Sequence, residues 1–478
     1  MKNHQSKLII FFGIFLCAIA NIGNALGDSS SLDQLIYRGY FYSNATDGMS
    51  IPLKLSPAKN NGGTPWYAEL EIGISKSTTG KTPTVKGQTM KFMMDTGTSN
   101  FWVTSDLCTN AGCAVHNAYK ASASGTYVQP QDTHEYNQQL GAWGQFSFYY
   151  GIDDFLFGYQ VISGHNYPQY FKEQTYYAGV KNVQFQRASV LKDGTDDGRP
   201  VFYADNINGA LIYEAGACMP DRNKNWDQMI CDGGLAIPYQ KNTAIASDLF
   251  LDKLVEQGYI TNQNKMVAFW TDQDLKRGEV TIGGYRPELI DENSLQWLPV
   301  DLEQSKRIGG WLTNLYTSPE RDNDFLVNGV SALSDFGKCF KEVWVMFDTG
   351  SSRFKGDPVI IDQIKCAITN RQHCGRERIR IKQEDYENTI DLFPTITVRL
   401  GGEDFPLNPR QYFVQFVEYD QNGAGHVFWE LALNEMDGMP GTIIVGSVFL
   451  DHYYAIFQYD PANPGNADLI GIAKYNYK

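Results

Sequence analysis

Short segments in which apolar and polar positions alternate recur along the whole chain. They include WYAELEIGI (66–74), GQTMKFMM (87–94), GQFSFYYG (144–151), KMVAFW (265–270), GEVTIGG (278–284), TITVRL (395–400), GTIIVG (441–446) and YYAIFQY (453–459). A period of two with β-branched and aromatic residues, broken by Gly, Asn, Asp and Pro, predicts strands, and their number predicts an all-β protein. Helical windows are few. The best spans 244–258, with Leu249, Phe250, Leu254 and Val255 at helical spacing and Gly258 as a stop. Segments 121–144 and 166–229 depart from the β pattern, being rich in Asp, Asn, Gly and Tyr, and read as surface insertions.

Two of the apolar runs end on the same unusual signal. Residues 91–103 read KFMMDTGTSNFWV and residues 344–354 read WVMFDTGSSRF. A single Asp-Thr-Gly is ordinary turn chemistry, in which the aspartate bonds its own backbone. A five-residue match of this kind arises by chance in roughly one chain of this length in a thousand, so a pair is roughly a one-in-a-million event. The aspartates, Asp95 and Asp348, stand 253 residues apart, a domain-sized internal duplication. Two related β lobes, each presenting one aspartate from a turn, account for it, with a lobe boundary at 297/298: residues 66–297 form the first lobe and 298–478 the second.

Two carboxylates brought together by a pseudo-twofold axis share one proton, because like charges in contact cannot both ionise cheaply. The ionised member serves as general base on a water while the protonated member polarises a carbonyl oxygen; the roles exchange as the amine leaves. The flanking residues suit this. Gly97 and Gly350 let the backbone turn sharply and bring amide N–H groups to the carboxylates. Thr96 and Thr349 can bond across the twofold, and Thr98 and Ser351 can donate to the carboxylates. Local turn bonding explains these hydroxyls equally well at this point.

At 478 residues the chain has room for two substantial cores. Lys2 and Lys7 precede the apolar run 8–20 and the small-residue pattern Gly23-Asn24-Ala25, which predicts an export signal over 1–25. Cys17 follows Leu16, where a lipid-attachment signal would want a small residue, so no lipoprotein is predicted, and no later stretch is long and apolar enough to span a membrane. Removing the signal leaves 38 basic against 54 acidic residues and takes the net charge from −14 to −16. That acidity argues against nucleic acid as a partner. Seven cysteines remain in an exported chain. Cys108 with Cys113, Cys218 with Cys231 and Cys366 with Cys374 could each close a loop, leaving Cys339 over. Metal binding is the weaker reading, and no cofactor is expected, because no pair has ligand-like spacing with a second pair or with histidines.

Taken together, the motifs resemble the pepsin-like aspartic endopeptidases. FMMDTGTSNFWV is similar to that family's first active-site loop, with Trp102 at its tryptophan position. CTNAGCAVHNAY resembles the small disulfide loop and the His-Asn that follows, which supports Cys108–Cys113. FSFYYG resembles the flap hairpin, and so places Tyr150 and Gly151 on the flap. DGGLAIP, GEVTIGGY, SLQWLPV, FLVNGV, VMFDTGSS, LFPTITVRLGG and IIVGSVFLDHYYAIF resemble further blocks in the family's order, from about residue 66 to the C-terminus. The resemblance implies a bilobed fold with a six-stranded interlobe sheet, a cleft for extended polypeptide substrates, inhibition by pepstatin-type analogues, a monomer, and acid activity favoured by the hydroxyl of Ser351. Tyr150 would close over the substrate and bond Trp102.

The departures are specific. The partner position expected for Cys339 is Val343. The GIDDFLFG stretch carries Asp153 and Asp154 where small polar residues are usual. Arg353 stands where an apolar residue is usual and Ser447 where an aspartate is usual. Segment 26–65 has few bases (Arg38, Lys54 and Lys59), so an inhibitory basic prosegment is not favoured, and MSIPLKL (49–55) is read as a strand of the interlobe sheet rather than the end of a prosegment. Asn44-Ala45-Thr46 is a glycan acceptor only in a glycosylating host. A catalytically silent, protein-binding member of the fold is the alternative function. Such proteins lose an aspartate, its glycine or the flap tyrosine, none of which is missing from the motifs read here.

Overall fold

The computed structural model describes residues 48–56, 63–73, 87–99, 101–109, 111–139, 145–162, 176–191, 201–203, 230–240, 250–273, 276–317, 322–334, 342–372, 374, 378–419 and 425–476. The expected signal peptide, Cys17, Asn44, Cys218, Cys339 and most of segment 166–229 lie outside them.

The architecture is all-β and bilobed. Six antiparallel strands run side by side in the order Gln296–Pro299, Ala467–Lys474, Tyr453–Tyr459, Met266–Asp272, Arg277–Ile282 and Gly48–Leu55. They draw on both halves of the sequence and form the expected interlobe sheet. MSIPLKL is one of these strands: Met49 lies opposite Ile282 and Leu53 opposite Gly278, while Lys54 and Leu55 pair with Trp66–Ile72 and carry the ladder into the N-terminal lobe. Met49, Ile51 and Leu53 are buried while Pro52 and Lys54 are exposed, the alternation that gives a strand one core face.

The C-terminal lobe adds a five-stranded sheet (Trp311–Thr317, Glu342–Phe347, Thr442–Val445, Phe354–Gly356, Leu433–Glu435) and two four-stranded ones. Within the expected insertion, Val201–Tyr203 pairs in parallel with Arg378–Lys382 of this lobe. The described part of the predicted helix is Phe250–Glu256, with Phe250, Leu251 and Leu254 buried and Gly258 beyond it at φ +77°. A longer helix, Pro358–Ile368, escaped the strand-dominated reading. Asp357 caps it by accepting from the Val359 N–H at 2.9 Å, and Ile360, Ile361, Ile364 and Ile368 enter the core.

Arg353, out of place in the family pattern, is 4 % exposed and belongs to a buried charge cluster. Its guanidinium donates to Glu430 and, at 3.0 Å, to Asn434, while the Nε of Arg380 donates to Glu430 at 2.8 Å. Burial alone would raise the Glu430 pKa, but Arg353, Arg378 and Arg380 hold it well below its ordinary 4.5. A group depressed in this way adds stability above its unfolded pKa and loses it as the pH falls toward the folded value. Glu430→Gln leaves buried arginines uncompensated and is expected to cost about 3–5 kcal/mol at neutral pH. Denaturant titrations should show the gap between wild type and variant shrinking once the pH drops below about 4.5; a gap independent of pH would contradict the ionised cluster.

Candidate active site

The surroundings of each aspartate repeat in the strand pairing itself. Gln88–Asp95 runs parallel to Gly233–Ala236, which lies antiparallel to Trp102–Thr104, which in turn runs parallel to Tyr176–Leu191. Glu342–Phe347 runs parallel to Thr442–Val445, which lies antiparallel to Phe354–Gly356, which runs parallel to Leu433–Glu435. The order of parallel and antiparallel contacts is the same in both halves, so each Asp-Thr-Gly turn leaves its sheet at the equivalent point.

The threonines join the turns. The Thr96 hydroxyl donates to the Phe347 carbonyl at 2.8 Å and the Thr349 hydroxyl to the Met94 carbonyl at 2.6 Å. Each hydroxyl also accepts the other turn's backbone N–H, from Thr349 at 3.0 Å and from Thr96 at 3.1 Å. Both threonines are buried, so these bonds form away from competing water, and a missing partner would leave a costly orphan. Of the two readings open for these residues, bonding across the twofold is the one found.

The glycines bring the carboxyl groups together. Gly97 N–H donates to Asp95 at 2.7 Å and Gly350 N–H to Asp348 at 2.9 Å. A Cβ on Gly97 would stand 2.5 Å from the Asp348 carboxyl carbon, and one on Gly350 would stand 2.5 Å from that of Asp95. No residue with a side chain fits either position. The carboxyl groups hydrogen-bond to each other, and burial raises both pKa values. Asp95 stands well above its ordinary value, with the Asp348 charge adding to the burial. The rise at Asp348 is restrained by the Lys355 ammonium and by the backbone N–H groups of Gly350 and Ser351. The pair holds one proton readily and titrates as a unit. At Ser351, 3 % exposed, the donor to Asp348 is thus the backbone amide. Thr98 is half-buried in the first turn.

Tyr150 and Gly151 do not stand at a hairpin tip. They lie inside the continuous strand Gln145–Ile162, opposite Gln186 and Phe185. Tyr150 is 6 % exposed and packs in an apolar cluster with Trp102, Phe146 and Phe148. Tyr136–Gln139 pairs with the start of that strand, Gln139 opposite Gln145, so the hairpin connection is 140–144, outside the described residues. The flap role expected of Tyr150 and Gly151 is therefore corrected: they are buried ladder positions. The aromatic run FSFYYG mimicked a tip because a buried strand and a flap tyrosine share the same composition. Asp153 likewise anchors the core, accepting from Tyr119 at 2.7 Å and Thr126 at 2.6 Å.

Cys108–Cys113 and Cys366–Cys374 are bonded, with Cα atoms 6.2 and 4.7 Å apart. Cys231 is a free thiol, 1 % exposed in the Trp102 cluster. The expected Cys218–Cys231 bridge is thus not formed at Cys231, and Cys218 itself lies outside the described residues. Val343, the expected partner position of Cys339, is a fully buried strand residue. Asp232, next to Cys231 in the chain, supports the site: it accepts Lys91 N–H at 2.9 Å and Asn117 N–H at 2.8 Å, tying the small disulfide loop to the Asp95 strand. The sequence hinted at this only through the acid before Gly233-Gly234, where a Cβ on Gly234 would lie 2.5 Å from the Trp102 indole nitrogen. Lys355 gave no sequence signal.

The chain is similar to known proteins over most of its length. The family description "Eukaryotic aspartyl protease" matches residues 82–158 and 204–473. Gastricsin of Mus musculus is 24 % identical over 401 residues, covering 82 % of this chain and 78 % of its own. Cathepsin E of Aquarana catesbeiana is 22 % identical over 388 residues (80 % and 77 %), and cathepsin D of Dictyostelium discoideum 22 % over 396 (80 % and 81 %).

A carboxyl whose folded pKa is raised withdraws stability as the pH climbs from its unfolded value through its folded one. Asp95→Asn, which removes one charge and keeps the shape, is expected to melt at a higher temperature than wild type at pH 7. The advantage should disappear below about pH 3.8, where the unfolded aspartate is itself protonated. Thermal unfolding at both pH values checks this; a variant less stable than wild type at neutral pH would contradict the raised dyad.

Proposed function

The chain belongs to the eukaryotic aspartyl protease family, and we propose that it is an exported endopeptidase that hydrolyses peptide bonds at acid pH with Asp95 and Asp348 as its catalytic pair. The observation that carries this reading is the pair of buried carboxyl groups set against each other by Gly97 and Gly350 and held by crossed threonine bonds. With one proton between them, the ionised carboxylate takes a proton from a water while the protonated partner donates to the scissile carbonyl oxygen. Collapse of the tetrahedral adduct returns a proton to the leaving amine. No covalent enzyme intermediate is needed.

Export is supported by the leader pattern over 1–25 and by the two bonded cysteine pairs, which suit an oxidising compartment. Acid activity is supported by the shared proton, which is lost from the pair as the pH rises. The substrate is an extended polypeptide lying across both lobes, and a pepstatin-type analogue, whose hydroxyl replaces the attacking water, is the expected inhibitor.

Purified full-length chain should cleave an unfolded protein at acid pH, and pepstatin should block the cleavage. Asp95→Asn and Asp348→Asn should each keep the fold, judged by circular dichroism, and lose at least about 10³-fold in rate. Undiminished cleavage by either variant would refute the two-carboxylate mechanism.

A further inference from the structure

One of the four-stranded sheets of the C-terminal lobe begins in a tight hairpin. Asp324–Val327 turns back into Val330–Ser331 through Asn328 and Gly329, at φ +49° and +76°, the left-handed pair that a two-residue hairpin loop favours. Helix Pro358–Ile368 ends beside it, and the chain leaves the helix through a second left-handed pair, Asn370 and Arg371 at φ +49° and +63°. The Cys366–Cys374 bond closes this second loop. Of the four non-glycine residues at positive φ among the described residues, three therefore belong to these two loops. Between the loops lies a groove of about 460 Å³, within the size range of ligand sites.

The lining combines apolar surface with uncharged polar groups. Val327 and Ile368 are buried, while Val330 and Leu392 are 69 % and 41 % exposed. Asn328, Asn370 and Gln372 add three exposed carboxamides. None of the lining residues is ionisable, on a chain of net charge −14. A charged ligand would lose hydration here with no counter-charge in return. Val330–Ser331 is also the outermost strand of its sheet. Ala332 N–H donates to the Phe325 carbonyl at 2.8 Å, so alternation along the ladder turns the Ser331 N–H to the outer edge. An open strand edge with carboxamides close by is suited to the backbone of an extended peptide.

We propose that this groove is a docking site for an uncharged, extended stretch of the polypeptide substrate, remote from the bond that is cut. This rests on the endopeptidase reading above, which already requires an extended chain as the ligand. Apolar side chains of the stretch pack against Val330 and Leu392, and its peptide groups bond the Ser331 edge and the carboxamides. The helix sets the separation, because its 11 residues carry the chain about 16 Å onward from the Phe354–Gly356 strand to the groove. An extended arm of three residues spans about 10 Å. A short peptide centred on the dyad is thus confined to the catalytic pair, whereas a long unfolded chain occupies both places, and the second contact raises the effective concentration of its cleavable bond.

The test uses full-length chain at acid pH with two substrates, a reduced and alkylated protein and a peptide of about six residues. Val330→Lys and Leu392→Lys each set a charge, ionised at every acid pH, on an exposed wall of the groove. Each is expected to raise KM for the unfolded protein about tenfold with kcat unchanged, and to leave both constants for the short peptide as in wild type. Val330→Ile, which stays apolar, should behave as wild type on both. Equal KM values for the unfolded protein in wild type and the two lysine variants overturn the docking site and leave the endopeptidase reading intact. An equal loss on both substrates overturns it too, since the effect would then lie at the catalytic pair or in the fold. No cleavage of either substrate by folded wild type removes both readings.

Discussion

Four hydrogen bonds beneath the two aspartates, two from threonine hydroxyls to the opposite lobe's carbonyls and two from backbone amides to those hydroxyls, are the constraint on which the site depends. They fix the two turns against each other where no water can substitute. Only with that distance fixed does it matter that residues 97 and 350 are glycines, since any Cβ would push the opposite carboxyl away. Only with the carboxyl groups in contact does the Asp348 charge add to burial in raising the Asp95 pKa, while burial raises that of Asp348. Stability is given up at the dyad in exchange for a proton held between two oxygens.

The remainder of the molecule makes that exchange tolerable. The six-stranded sheet draws strands from both ends and the middle of the chain, so the lobes share a rigid base. The equivalent parallel and antiparallel pairings of the two halves deliver each turn to the same place. Charge is handled differently on the two sides of Phe354. Arg353 is bonded within the lobe to Glu430, whereas the Lys355 charge acts on the dyad and restrains the rise of the Asp348 pKa.

Legibility in the sequence followed the range of the interactions involved. The duplicated Asp-Thr-Gly turns, the strand over 49–55 and the short-range disulfides were readable because period-two patterning and local spacing specify them. The flap was misplaced because the run FSFYYG resembles the family's flap motif, while Asp153 just after it is bonded to Tyr119, 34 residues away, and holds the segment in the core. Arg353 looked anomalous because its partner Glu430 lies 77 residues on. The free thiol of Cys231 was taken for half of a disulfide because cysteine spacing says nothing of which face of the chain a thiol occupies. Helix Pro358–Ile368 was hidden by its isoleucines, which packing rather than propensity holds in a helix.

The measurement that bears most directly on the shared proton is the pH dependence of kcat/KM for the unmodified chain on one peptide. A carboxyl pair active only in its singly protonated form gives a bell, with an acid limb where the second proton binds and a basic limb where the last one leaves. A profile that rises through one ionisation and stays flat to neutral pH would mean a single general base, and would contradict the account of two carboxyl groups working as one.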